Sequence, residues 1–519
     1  MHRASALALT CAVLTFTAAS CGESGSAGPG DPAALVPADA ALYVEAAVQP
    51  QGGRREDALA AAGKIMRTDD PAAKLRGLID EQLAEEGDGL TWERDFASWL
   101  GEEAGVWASN LQRGEPSFAV IVASADADNA KSALARIEQT SESEYTGRSY
   151  AGLDYKVDGD GMAHGIVDDF VVLGTESGFK RTADTRDGDK LVDSERYEEA
   201  IGELEEDRLG HFYLDAKLVA DAALEQDSAA AGELEQFKSL LPLDKLGPIT
   251  GAFTADGDGM TLDTVVTGVP EGPFRNLAQL WSGDASELLS ELPGDAWTAF
   301  AAPHLGASAQ SLFSRFAGAI GSAAVAAQVE EATGLDLQAD VFSWIGDVGV
   351  FVRGSDMATL DGALVIASTD DARAEAAFGK IVGLIGKQSG APPRPVQVDG
   401  AGAAFAIAAP GAMRPVVLAR GEGRVVAAYG EAAAAAALAP DAKLGDAASF
   451  AAAEEILGDG LKPSFLLSMP EAIRLAEALG ATDAEFAEVR PYLETLGVIT
   501  SGGRAEGERV QSRMAVTLR

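Results

Sequence analysis

Three observations predict an α+β fold with an internal duplication, each repeat a largely antiparallel sheet with packed helices. The block Asp95-Phe96-Ala97-Ser98-Trp99-Leu100-Gly101 returns as Asp340-Val341-Phe342-Ser343-Trp344-Ile345-Gly346, and the segments around each copy follow in the same order. Strand-like and helix-like stretches interleave along each copy. Asp-Gly turn signals join the strand-like runs, so neighbouring strands are expected to be antiparallel.

The N-terminus sets the compartment. Met1-His2-Arg3 is a short positive start, Ala4 to Ala19 is apolar, and Ala18-Ala19-Ser20 places small residues before Cys21. This is the form of a bacterial secretory signal with a lipoprotein processing box, although Ala18 stands where the box favours Leu. The apolar run is shorter than the roughly 20 residues a membrane-spanning helix needs, so it reads as a signal core. Cys21 is the expected lipidation site. The other cysteine, Cys11, lies in the segment expected to be removed, which leaves no partner for a disulfide or a multi-thiolate metal site. Residues 22–30, rich in Gly, Ser and Pro, read as a tether.

The first copy opens with Leu35-Val36-Pro37-Ala38-Asp39-Ala40 before the apolar Ala41-Leu42-Tyr43-Val44; the second opens with Glu291-Leu292-Pro293-Gly294-Asp295-Ala296 before Trp297-Thr298-Ala299-Phe300. The opening residues 35–44, after a lipoprotein signal, together with Ser98-Trp99-Leu100-Gly101, resemble a family of secreted bacterial lipoproteins whose shared region is known only as domain of unknown function 3352. The resemblance spans most of the mature chain and implies a lipid-anchored envelope protein, with no activity to carry over.

Asp70 and Pro71 start a predicted helix through Leu75, Leu78, Ile79 and Leu83, as N-cap and first-turn proline, and Gly87 is expected to stop it. The matching stretch, Ala309 to Gly334, is also helical by spacing. Phe118-Ala119-Val120-Ile121-Val122-Ala123 and Ala363-Leu364-Val365-Ile366-Ala367 are unbroken apolar runs, expected as strands covered on both faces, or at least at the centre of a sheet, and followed by helices carrying Leu134 and Ile137, or Phe378 and Ile381. Hairpins are predicted at Asp158-Gly159-Asp160-Gly161, after Tyr155-Lys156-Val157, and at Asp399-Gly400, after Val396-Gln397-Val398. Further strands are expected at 170–173 and 425–428. Each copy then closes with a helix near Tyr197 or Phe450, a strand at 212–214 or 465–467, and a last hairpin beginning near Leu246 or Leu496. The organisation expected is a signal over 1–20, a tether over 21–34, repeats over 35–268 and 285–519, and a linker over 269–284, where Val269-Pro270-Glu271-Gly272-Pro273 breaks regular structure.

The chain carries 81 Asp and Glu against 40 Lys and Arg, a formal net charge of -41. Such a polyanion is repelled by phosphate backbones, and no basic patch offsets it, so nucleic acid is not an expected partner. Of four histidines, His2 leaves with the signal; His164, His211 and His304 show no metal-ligand spacing, and no nucleophile elbow or phosphate loop is present. No cofactor, metal or catalytic residue is therefore expected. The sequences Asp158-Gly159-Asp160-Gly161-Met162 and Asp256-Gly257-Asp258-Gly259-Met260 lack the fifth-position ligand of an EF-hand and read as hairpin turns. Trp99 and Trp344 read as core plugs beneath a turn. The reading is a non-enzymatic protein anchored to the cell membrane through Cys21, extracytoplasmic, binding a protein partner or ligand. A carrier of a lipid or other apolar ligand, a hydrolase built on His164, His211 or His304, and a plain spacer are the alternatives.

Overall fold

The computed structural model describes residues 30–85, 89–109, 116–141, 143–224, 246–269, 275, 285–320, 322–388, 392–408, 411–458, 460–481 and 483–519. The signal, Cys21, Gly87 and most of the 269–284 linker lie outside them. The chain divides into two compact units between Gly268 and Val269.

Among the described residues the first unit has ten strands: β1 (Leu42–Ala47), β2 (Leu100–Ser109), β3 (Ser117–Ser124), β4 (Thr146–Tyr150), β5 (Leu153–Val157), β6 (Met162–Val167), β7 (Phe170–Thr175), β8 (Gly210–Leu214), β9 (Ile249–Ala255) and β10 (Gly259–Val266). Antiparallel pairing gives the order β4-β5-β6-β7-β3-β2-β1-β8-β9-β10. The second unit contributes β11 (Ala296–Ala302), β12 (Ile345–Arg353), β13 (Asp361–Ser368), β14 (Arg394–Pro395), β15 (Ala403–Ile407), β16 (Val416–Gly421), β17 (Arg424–Tyr429), β18 (Lys462–Ser468), β19 (Leu496–Glu506) and β20 (Arg509–Leu518). Its order is β14-β15-β16-β17-β13-β12-β11-β18-β19-β20, the same succession and again antiparallel. Helices pack on these sheets, so the fold class is α+β.

Local chemistry explains the elements that position the site. Asp70 Oδ1 accepts the Ala73 N–H at 2.9 Å and starts the helix Pro71–Glu85. In the β5–β6 turn, Asp158 Oδ1 accepts the N–H groups of Asp160 and Met162, both at 2.9 Å. Asp256 Oδ1 does the same for Asp258 and Gly259, at 2.8 and 2.7 Å. These carboxylates are engaged by their own turns.

Trp99 and Trp344 are 4% and 2% exposed. The indole N–H of each donates to the carbonyl four residues back, Asp95 at 2.6 Å and Asp340 at 2.9 Å. A Cβ at Gly101 would meet the Ala123 backbone at 2.8 Å, so only glycine lets the block close onto β3.

The run 363–367 lies at the centre of its sheet, between β12 and β17, but is covered less than the first unit's run: Leu364 is 37% exposed, whereas its counterpart in register, Val120, is 2% exposed among Ile79, Leu83 and Trp92. Residues 396–398 do not form a strand before their turn. Pro393 and Pro395 remove backbone donors there, and β14 shrinks to two residues. The stretch 309–334 is helical as expected, in two helices, Leu305–Ile320 and Ser322–Thr333. The charged, alanine-rich helix Gly52–Met66 escapes sequence reading because Ala61 is its one buried residue.

Candidate functional site

Strand register within each unit identifies equivalent positions. Tyr43 pairs with Trp107 and Tyr213; Ala299 pairs with Phe351 and Leu466. Two residues along the same face, Glu45 lies opposite Gly105 and His211, while Ala301 lies opposite Gly349, with Ser464 two residues before Leu466. The first unit thus carries tyrosine, glutamate and histidine where the second carries alanine, alanine and serine.

The polar group grows out of four elements. Asp31 opens the short turn Pro32–Leu35, Glu45 is on β1, Glu103 on β2 and His211 on β8. Carboxylate oxygens of Asp31, Glu45 and Glu103 all lie within 4.8 Å of one another. Tyr43 Oη donates to Glu45. The Tyr197 hydroxyl and His211 Nε2 are 3.0 Å apart, and Arg208 Nε donates to His211 Nδ1 at 3.4 Å. That pairing fits a neutral imidazole with its proton on Nε2. Tyr43, Tyr197, Tyr213 and His211 meet edge-on or tilted around it.

Burial first, then the Asp31 and Glu103 charges, pushes the Glu45 carboxyl well above the usual range. Burial and neighbouring carboxylates raise Glu103, and burial also raises Asp31. His211 is pushed down to about 3 by burial and by the Arg208 charge. Arg208 opposes the rise at all three carboxyls, and Arg54 opposes it at Glu103. Two guanidinium groups thus offset part of the charge of the three carboxylates.

A family model described as "Protein of unknown function (DUF3352)" matches residues 3–514. The chain belongs to this family. A search of the curated proteins finds no match. Solved structures similar to this DUF3352 chain include crystal form IV of TP0453, 12% identical with a TM-score of 0.26 over 46% of this chain and 81% of its own. Crystal form III of TP0453 is also 12% identical, with a TM-score of 0.24 over 50% and 87%.

The second unit of this DUF3352 protein has its own polar feature. Arg353 pairs in register with Asp361 where the first unit pairs Ser109 with Ser117. Arg353 Nε reaches Asp361 at 2.6 Å and its other arm reaches Asp295 at 3.2 Å. Arg414 stands 3.7 Å from Asp361 and lies over the Tyr429 ring. Asp295, Arg353, Asp361 and Arg414 line an open cleft of about 540 Å³ together with Glu431.

The three histidines are not brought together. His164 Nε2 is 2.8 Å from Glu138, which also binds Lys156, and its ring meets Tyr145 edge-on. In the second unit the same contact between sheet and helix is apolar, with Val382, Phe405 and Leu418. His304 is 74% exposed and sits 3.3 Å from Asp347. Sequence reading missed the Glu45 group. Its signal was the period-two spacing Tyr43-x-Glu45, Glu103-x-Gly105-x-Trp107 and His211-x-Tyr213, which points acidic and aromatic residues to one face.

Proposed function

We propose that this DUF3352 protein is a lipid-anchored, extracytoplasmic envelope protein that acts by binding and not by catalysis. The observation that carries the binding role is the unequal filling of two units with one strand order. Ala299, Ala301 and Ser464 show that the fold itself does not demand Tyr43, Glu45 and His211, and Ser109 and Ser117 show the same for Arg353 and Asp361. Buried ionisable groups generally cost stability relative to apolar ones, so groups retained without structural need mark sites of use.

Anchoring is supported by the signal form of residues 1–21 and by where the body begins. Ala33, Leu35 and Val36 are already buried, so the nine residues 22–30 separate Cys21 from the fold. Extended, that tether reaches at most about 30 Å. No helix among the described residues is long and apolar enough to cross a membrane. Replacing Cys21 by Ala is expected to move the protein from the membrane fraction to the soluble one; retention in membranes would refute the anchor.

Carriage of an apolar ligand is a second reading, favoured by Val350 and Leu364. They face each other across β12 and β13 and are 40% and 37% exposed. Native mass spectrometry of detergent-extracted protein is expected to show a bound acyl lipid that Leu364→Glu removes. A bare mass in the parent protein leaves the first reading alone.

A further inference from the structure

The first unit begins with a short turn in the place that the helix Ser286–Ser290 takes in the second, where Leu288 lies against Gly349 as Pro32 lies against Gly105; in the first unit this entry segment also meets a group of carboxylates. Asp31 Oδ1 accepts the Ala33 N–H at 2.8 Å and opens the turn Pro32–Leu35, whose Pro32, Ala33 and Leu35 are buried against the sheet. Pro32 rests over Gly105: a Cβ there would come within 3.0 Å of the Pro32 Cβ and 2.8 Å of the Tyr43 ring. Behind the turn, carboxylates from three elements crowd within 4.8 Å: Asp31 on the entry segment, Glu45 on β1 and Glu103 on β2. At that separation three negative charges repel strongly in a partly buried site, so the group is relaxed when one carboxyl keeps a proton.

We propose that Asp31, Glu45 and Glu103 form a proton-dependent latch fastening the entry segment of the first unit to its sheet, closed while the group holds a proton and loosened when that proton leaves. Protonated Glu45 removes the repulsion between β1 and the entry segment while still accepting from Tyr43. The other groups facing the latch are Arg54 and Glu102 beside Glu103, and Arg208, Tyr197 and His211 from the side of β8. The two arginines soften the repulsion without cancelling it. Because the latch sits where the chain enters the body, its state sets how far the body can separate from whatever holds the N-terminus.

The sign follows from proton counting. The Glu45 carboxyl is raised in the fold, so the closed latch holds a proton that the opened segment releases once pH exceeds the ordinary carboxylate range. Opening then becomes easier as pH rises, by about tenfold per pH unit for one proton, and levels off above the folded value. His211, held neutral in the fold, would gain a proton on exposure below about pH 6.5 and oppose this trend, so the clean window lies above that.

Hydrogen exchange of the full chain, read by mass spectrometry between about pH 6.5 and about pH 9, tests the latch. Residues 31–47 are measured against 287–302, the same place in the second unit, which cancels the intrinsic pH dependence of exchange. Protection of 31–47 relative to 287–302 is expected to fall by up to about tenfold per pH unit, and Glu45→Gln, which cannot ionise, is expected to abolish the slope. A constant ratio in the parent protein, or an unchanged slope in Glu45→Gln, overturns the proposal. Should that variant not fold, Asp31→Asn and Glu103→Gln each remove one repelling charge and are expected to move the plateau to lower pH; a plateau unmoved in both overturns it equally.

Discussion

Trp344→Ala is expected to destabilise the second unit by about 3–5 kcal/mol, the largest effect of any single substitution considered. The indole is 2% exposed and packs with Ala374, Ala377, Phe378, Val382 and Val425, so truncation removes a large apolar surface and leaves a cavity between the sheet and the helix Asp371–Gln388. It also strips the Asp340 carbonyl of its indole donor at 2.9 Å. Urea unfolding of the full chain, with hydrogen exchange to localise the loss, measures it. A change under about 1 kcal/mol would mean that the indole plugs nothing. Trp344→Phe refills most of the volume and is expected to cost less.

Asp95→Asn is expected to cost the first unit about 3 kcal/mol near neutral pH, at the lower end for breaking a buried ion pair because both partner arginines reach water. Asp95 itself is fully buried. Its carboxylate accepts the Thr91 N–H at 2.9 Å, two arms of Arg94, and Arg136 Nε at 2.7 Å. Burial pushes this carboxyl up, but the bonds from Arg94, Thr91 and Arg136 outweigh burial, and it ends below the ordinary range. A depressed carboxylate stabilises above its unfolded value of about 3.9 and loses that contribution as pH falls through the lower folded value. The cost of Asp95→Asn is therefore expected to be full at pH 7 and to shrink toward strong acid. Stability curves of parent and variant from about pH 2 to about pH 7 show this as convergence at the acid end; parallel curves would mean that the charge contributes nothing. The second unit repeats the device, with Asp340 accepting the Asp336 N–H at 3.0 Å and Lys380 Nζ at 2.7 Å.

That pairing marks where sequence reading stopped. The block was visible through Trp99 and Trp344, because a large aromatic at a repeated position stands out. The aspartate four residues earlier is equally repeated, and a basic residue follows it by 41 positions in one unit and 40 in the other, Arg136 and Lys380. Nothing local connects them: the contact forms only when the helix after β3 or β13 folds back over the block.

Asp-Gly turns, an N-cap such as Asp70 and the apolar run at 118–123 are decided within a few residues, by backbone dihedrals, local hydrogen bonds and side-chain period. For that reason the α+β class, the positions of most strands and the repeated tryptophan block are legible along the chain. The joining of β1 to both β2 and β8 is different: it brings together residues from 31 to 211, and long-range packing sets it. The grouping of Asp31, Glu45 and Glu103 follows from that long-range pairing. Electrostatic repulsion and burial depend on distance in space, and separation along the chain does not encode that distance.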